Sequence, residues 1–148
     1  MTRAELAAFF PANGTPLHTG AQSYAVPTLA WLRGPCFDAF RARYWQADLA
    51  KWQFRWECRD FAAAFRLFAV ECWARTPALN SQLSAISSES DGIAVGELWF
   101  LPDPLNAAQG HAICPVICDQ GLQFIEPQTG LLAPCSPAQL ASRYFLRF

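Results

Sequence analysis

Cys58, Phe61, Phe65, Phe68 and Cys72 stand at offsets of 0, 3, 7, 10 and 14, the spacing of one unbroken apolar stripe along a helix. Ala62 and Ala69 flank the stripe, and such small side chains let neighbouring elements pack closely on both sides. The spacing predicts a central, largely buried helix over 57–74, stopped by Thr76-Pro77. Any fold open to this chain has to cover that helix. The means are present: 12 Phe, 6 Trp and 3 Tyr lie in 148 residues of which only 16% are charged. Such a composition excludes a disordered chain and supplies one hydrophobic core, so a single domain is expected over residues 1–148.

The remaining elements are read around this helix. Thr2-Arg3-Ala4-Glu5 is a capping box that opens a short helix, which Pro11 ends. Residues 11–27 read as irregular surface chain. An apolar stretch at 29–32 is broken by Gly34-Pro35. Phe37, Phe40, Tyr44, Ala47 and Lys51 recur at helical spacing over 37–52. Residues 80–92 are polar and rich in Ser, a loop or a weak helix. Strands are expected at 93–101, 110–118 and 122–127, the last two joined at Asp119-Gln120-Gly121. Leu131-Leu132 is a further strand candidate, Ser136-Pro137 caps a helix, and 144–148 closes the chain as a strand. Helices come first and an antiparallel meander second. The expected class is α+β, with the central helix of the amino-terminal part packed on a carboxy-terminal antiparallel sheet.

Eleven basic against twelve acidic residues give a net charge of −1, which is no electrostatic footprint for nucleic acid or for an anionic membrane. No apolar run approaches the roughly 18 residues of a membrane span. The apolar stretch at 6–10 is also too short for a secretory signal. The expectation is a cytoplasmic protein with reduced, mostly buried thiols at 36, 58, 72, 114, 118 and 135. Nothing in the composition sets an oligomeric state.

The chain holds two histidines, His18 and His111, so chemistry that needs imidazole has few places to go. Cys58 falls in the first turn of the long helix, where unpaired N–H groups and the helix dipole favour a thiolate. Arg59 adds to that effect, while Glu57 and Asp60 oppose it unless they turn to solvent. His111 opens an apolar strand. If Asp119-Gln120 form a two-residue loop, paired positions sum to 239: 118 with 121, 113 with 126, and 111 with 128. Glu126 then lies diagonal to His111 on one face, within reach of a long side chain, and Gln128 lies directly across. A three-residue loop would flip that parity. A glutamate after Leu122, Phe124 and Ile125 is costly to bury alone, and His111 would be its partner. Cys58, His111 and Glu126 together make a nucleophile, a base and an orienting carboxylate.

The stretches 57–62, 110–113 and 124–128, with Cys on a central helix, His on one strand and an acidic residue on the next, resemble papain-like cysteine peptidases. They look most like protease domains of the kind carried by the fungal Marasmius oreades agglutinin. The resemblance implies a papain-like fold and a cysteine-dependent hydrolase, a peptidase or amidase acting on a peptide or protein substrate. It assigns Cys58 as nucleophile, His111 as general base and acid, and Glu126 as the orienting residue. It also implies an oxyanion donor shortly before the nucleophile. Gln53 is the available polar residue, five positions ahead, whereas Trp52 occupies the place six ahead that the family normally uses.

The chemistry itself needs no cofactor. Calcium dependence is implied by the resemblance alone, and Asp91, Glu97 and Asp103 are scattered where a hard-cation site needs about six oxygens. A zinc site from His111, Cys114 and Cys118 fails on parity, since His111 points away from the two cysteines on one strand. The competing readings are an amidase, deamidase or acyltransferase with the same triad, and a catalytically inactive scaffold that binds a partner through Trp45, Trp52, Trp56, Trp73 or Trp99.

Overall fold

The computed structural model describes residues 1–45, 57–75, 90–103, 105–106 and 109–148. Helix α1 (Arg3–Ala7) forms behind the capping box that the sequence shows. The Thr2 side chain accepts from the Glu5 amide, and the Glu5 carboxylate accepts from the Thr2 amide at 2.7 Å. The segment after it carries two short strands, β1 (Leu17–His18) and β2 (Tyr24–Ala25). Helix α2 (Leu29–Trp31) is capped by Thr28. It runs into a wide π-type turn at Leu32–Cys36, where Gly34 leaves helical geometry (φ −103°, ψ −105°) just before Pro35. That is the break expected there. Helix α3 (Phe37–Trp45) follows; the rest of the expected 37–52 helix lies outside the described residues, as does most of 80–92.

Helix α4 (Cys58–Arg75) is the central helix. Cys58, Phe61, Phe65 and Phe68 are buried along it, and Ala62 and Ala69 are fully covered. The chain continues through β3 (Gly92–Ile93), β4 (Glu97–Phe100), β5 (His111–Cys118), β6 (Gly121–Ile125), α5 (Pro137–Ala141) and β7 (Phe145–Arg147). Ser136 caps α5 with Pro137 in its first turn.

The architecture is mixed α+β, and the sheet departs from a simple meander. Its order is β1-β7-β4-β5-β6. The hairpin arms β4, β5 and β6 are antiparallel neighbours, and β7 returns to pair antiparallel with the outer side of β4. Beyond it β1, from the amino-terminal half, adds in parallel. Two-residue strands leave too short a periodic pattern to read in a sequence. The strand expected over 93–101 is likewise two. β3 pairs with β2 in a separate small sheet, and the chain then kinks through Val95 and Gly96. Gly96 makes the kink possible, because a Cβ there would stand 2.7 Å from the Arg147 carbonyl and 2.9 Å from the Phe148 ring. Leu132 contributes an isolated bridge to Ile125 rather than a strand.

Both faces of the sheet are covered. Helix α4 and the segment 29–40 pack on one face, over Val95, Ala112, Cys114, Val116 and Ile125. Leu6, Phe10 and Tyr24 pack on the other, over Leu98, Ile113, Ile117 and Leu146. This is why β5 reads as an apolar run without alternation. Each fully buried Leu, Ile or Phe contributes roughly 1.5–3 kcal/mol relative to exposure. Among the described residues no helix is long and apolar enough to cross a membrane.

Replacing Gly96 with Ala forces β4 and β7 apart against backbone that cannot yield. A loss of about 1–3 kcal/mol is expected, as for other overpacked sites, measured as a lower urea midpoint at constant slope. An unchanged midpoint would mean that the two strands do not need this close approach.

Candidate active site

The site grows from three element ends. The first is the start of α4. Glu57 caps the helix through its carbonyl, which accepts from the Asp60 and Phe61 amides. Asp60 answers by accepting the Glu57 amide at 2.8 Å. The Glu57 carboxylate in turn holds the Arg59 guanidinium at 2.6 Å. Both carboxylates beside Cys58 are therefore engaged at the exposed surface, and neither is turned toward the sulfur. Cys58 is the first residue of the helix and is buried. By position its amide and that of Arg59 have no carbonyl partner within the helix.

The second end is the start of β5, where His111 packs edge-on against the Phe100 ring, 5.7 Å between centroids. Gly110 before it lies under the exposed Tyr144 side chain, whose hydroxyl would stand 2.6 Å from a Cβ and would have to swing aside for one. The third is the end of β6. The hairpin turns on Asp119-Gln120 with Cys118 opposite Gly121 and Cys114 opposite Ile125, the two-residue register summing to 239. Glu126 follows directly and reaches His111, with Nε2 2.8 Å from Oε2. Gln128 is not across from His111 as the extended register placed it. The ladder stops at Ile125, and the chain folds into a turn in which the Thr129 and Gly130 amides donate to the Glu126 carbonyl. Gln128 instead donates its backbone amide to Glu126 Oε1 at 3.2 Å. The carboxylate is thus held on both oxygens.

Beside its bond to Glu126, the His111 ring lies within electrostatic reach of the buried Cys58 thiol. These contacts raise its pKa to about 9, the sulfur contributing most and the carboxylate next, against the opposing effect of burial. The structure therefore brings Cys58, His111 and Glu126 together. Gln53 and Trp52 lie outside the described residues. Burial raises the pKa of the other five thiols: Cys36, Cys72, Cys114 and Cys118 shift upward, and Cys135 reaches about 11. The Cys114 thiol donates to the Ala62 carbonyl at 3.4 Å and the Cys118 thiol to the Gly121 carbonyl at 3.3 Å, so neither sulfur faces His111. Among the described residues no three His, Cys, Asp or Glu side chains gather as a metal site requires.

Several contributors went unread in the sequence. Gly130 closes the turn below Glu126 with φ +72°, and its Cα lies so near the Phe37 ring that a Cβ would stand 2.5 Å away. Arg33 Nε donates to the Gly130 carbonyl at 3.3 Å. The glycine in Glu-Pro-Gln-Thr-Gly was the available signal, since a left-handed residue favours Gly. Beside Cys58, the Arg59 guanidinium lies 5.4 Å from the Trp99 ring centroid, and Tyr144 meets the same indole edge-on at 6.2 Å.

No family model matches the sequence, and no curated protein matches it either. Solved structures do match in fold. One is the Polyporus squamosus lectin bound to a human-type influenza-binding epitope, with TM-score 0.65 and 18% identity over 100% of this chain and 49% of that one. Another is the PSL1a–E64 complex, with TM-score 0.61 and 18% identity over 100% of this chain and 51% of that one. The chain shares the α+β fold found in these structures and spans about half their length.

The imidazole contacts fix the sign of a pH effect. A pKa raised from about 6.5 in the unfolded chain to about 9 in the folded one gives stabilisation that is complete below pH 6.5. It is lost as pH rises through 9. The NMR titration of the His111 ring, assigned by comparison with His111→Ala, is expected to have its midpoint well above 6.5 and to fall in Glu126→Gln. A midpoint near 6.5 in both proteins would show that the ring is not held between two acidic partners.

Proposed function

We propose that this chain is a papain-like, cysteine-dependent hydrolase that cleaves an amide bond of a peptide or protein. The observation that carries the reading is the His111 imidazole, held between the Cys58 sulfur and the Glu126 carboxylate. A ring with a raised pKa is protonated at neutral pH and stabilises a thiolate beside it, which is the attacking form of cysteine. The Cys58 thiolate would add to the amide carbon, and the carbonyl electron pair would move to oxygen. That oxyanion would be met by the Cys58 amide at the helix start; removing one such donor typically costs about 2.7–4 kcal/mol in the barrier. His111 would give its proton to the departing amine as the C–N bond breaks, leaving a thioester. It would then take a proton from water as the hydroxyl adds to the thioester carbon. Collapse would release the acid and restore the thiolate–imidazolium pair. Glu126 would keep the ring oriented throughout. No step passes through a metal. Support also comes from the fold shared with a protein solved in complex with E64.

The test is the rate of Cys58 alkylation by iodoacetamide from pH 4 to 9, read by mass spectrometry, together with inactivation by E64. Labelling of Cys58 should persist below about pH 7 and be lost in His111→Ala. The five other thiols should react slowly. Amide hydrolysis should fall about 10²–10⁴-fold in the same variant, the span of a general acid–base contribution. Labelling that rises only near the free-thiol value of about 8.5 in both proteins would end this reading in favour of an inactive scaffold that binds a partner.

A further inference from the structure

Cys58 and His111 are flanked by a group of side chains that the proposed reaction leaves unused. Its centre is Trp99, which precedes Phe100, the β4 residue paired with His111. The indole is fixed from two directions. Its N–H donates to the buried Glu97 carboxylate at 2.7 Å, and its ring stacks on Phe145 with 4.4 Å between centroids. Arg59, the residue after Cys58, places its guanidinium over the indole at 5.4 Å. Tyr144 meets the indole edge-on at 6.2 Å. Its hydroxyl stands 2.6 Å from the place of a Gly110 Cβ, one residue before His111. Arg59 thus adjoins Cys58, Tyr144 adjoins the approach to His111, and Trp99 joins the two. Both outer side chains are half exposed.

What these groups still offer narrows the ligand. Arg59 Nε and Nη2 both donate to Glu57 Oε2, at 3.1 and 2.6 Å. With that edge engaged and the indole beneath, the guanidinium presents its remaining, exposed side. A substrate carboxylate there would meet both Glu57 and Asp60, with Arg59 the one cation between them. A substrate cation would meet Arg59 itself. A neutral aromatic ring meets neither penalty. Its face attracts a guanidinium, and it packs edge or face on the Tyr144 ring.

We propose that Arg59 and Tyr144, seated on Trp99, determine specificity by taking an aromatic side chain of the substrate beside the amide that Cys58 attacks. The flat guanidinium is needed here as well as its charge, since an ammonium has no plane to stack on a ring. The aromatic shelf is independent of the hydrolase reading, whereas its place beside the attacked amide rests on that reading.

Two measurements separate these parts. The first needs no reactive thiol. It follows the Arg59 Nε–H resonance, assigned by its loss in Arg59→Lys, while N-acetylphenylalanine amide is added. N-acetylcyclohexylalanine amide is the control of similar bulk without a π system. The phenylalanine compound should give a saturable shift that the control does not. Equal responses, or none, would overturn the shelf whatever the reactivity of Cys58. The second compares alkylation of Cys58, whose sulfur displaces chloride, by chloroacetyl-Phe-NH2 and by its cyclohexylalanine, Glu and Arg counterparts. Each rate is divided by that of chloroacetamide on the same protein. The Phe probe should lead by roughly fivefold, the size of an exposed ring contact. That lead should survive in Tyr144→Phe, which keeps the ring, and shrink in Tyr144→Leu and in Arg59→Lys. Fast chloroacetamide labelling with no lead for Phe, or with a lead for Glu or Arg, would overturn the role in specificity. Chloroacetamide labelling that rises only near the free-thiol value of about 8.5, beside a shift specific to phenylalanine, would instead sink the hydrolase reading and leave the shelf standing.

Discussion

The two-residue turn at Asp119-Gln120 is the constraint on which the candidate site depends. Side chains alternate along a strand with a period of two, so one extra residue in that turn would send Glu126 to the opposite face from His111. The turn is secured from outside the hairpin. Asp119 accepts the Leu29 amide at 2.8 Å, and its own amide donates to the Pro27 carbonyl. The start of α2 therefore locks the tip of the hairpin whose far end carries the His111–Glu126 pair.

Packing then sets the third member against that pair. The stripe of α4 lies on β5, with the Ala62 carbonyl receiving the Cys114 thiol and the Ala62 and Ala69 side chains fully covered. One turn before Ala62, the helix begins at Cys58. Small residues on the stripe bring the helix axis close to the sheet, and closeness is what lets a short thiol reach an imidazole. The same dense core treats the remaining cysteines differently. Burial keeps a thiol protonated and outweighs the arginines near Cys72 and Cys114, whereas Cys58 lies beside the His111 ring.

The elements around the site show how local glycines carry long-range geometry. Gly96 lets β4 press against the end of β7, Gly110 makes space beneath Tyr144, and Gly130 brings the turn after Glu126 onto Phe37. Each lies at a point where one segment meets another far away in sequence. A glycine's reason for being there is visible only once both segments are in place.

The sequence by itself determined what rests on local periodicity and local capping. That covers the buried helix from Cys58, the capped starts at Thr2 and Ser136 and, once the turn at Asp119-Gln120 is taken as two residues, the Glu126–His111 relation. It also covers the choice of Cys58, His111 and Glu126 as the residues to bring together. Tertiary structure decided what no short window encodes. The two-residue strands β1 and β2 exist because edges formed elsewhere were free to pair with them. The 93–101 segment splits because Gly96 meets the Arg147 carbonyl and Phe148. Gln128 turns away from His111 because Gly130 closes a loop against a phenyl ring more than ninety positions earlier. The physical reason is the same throughout. Periodicity and caps act between residues a few positions apart, while contacts across the sheet depend on where separate segments come to rest.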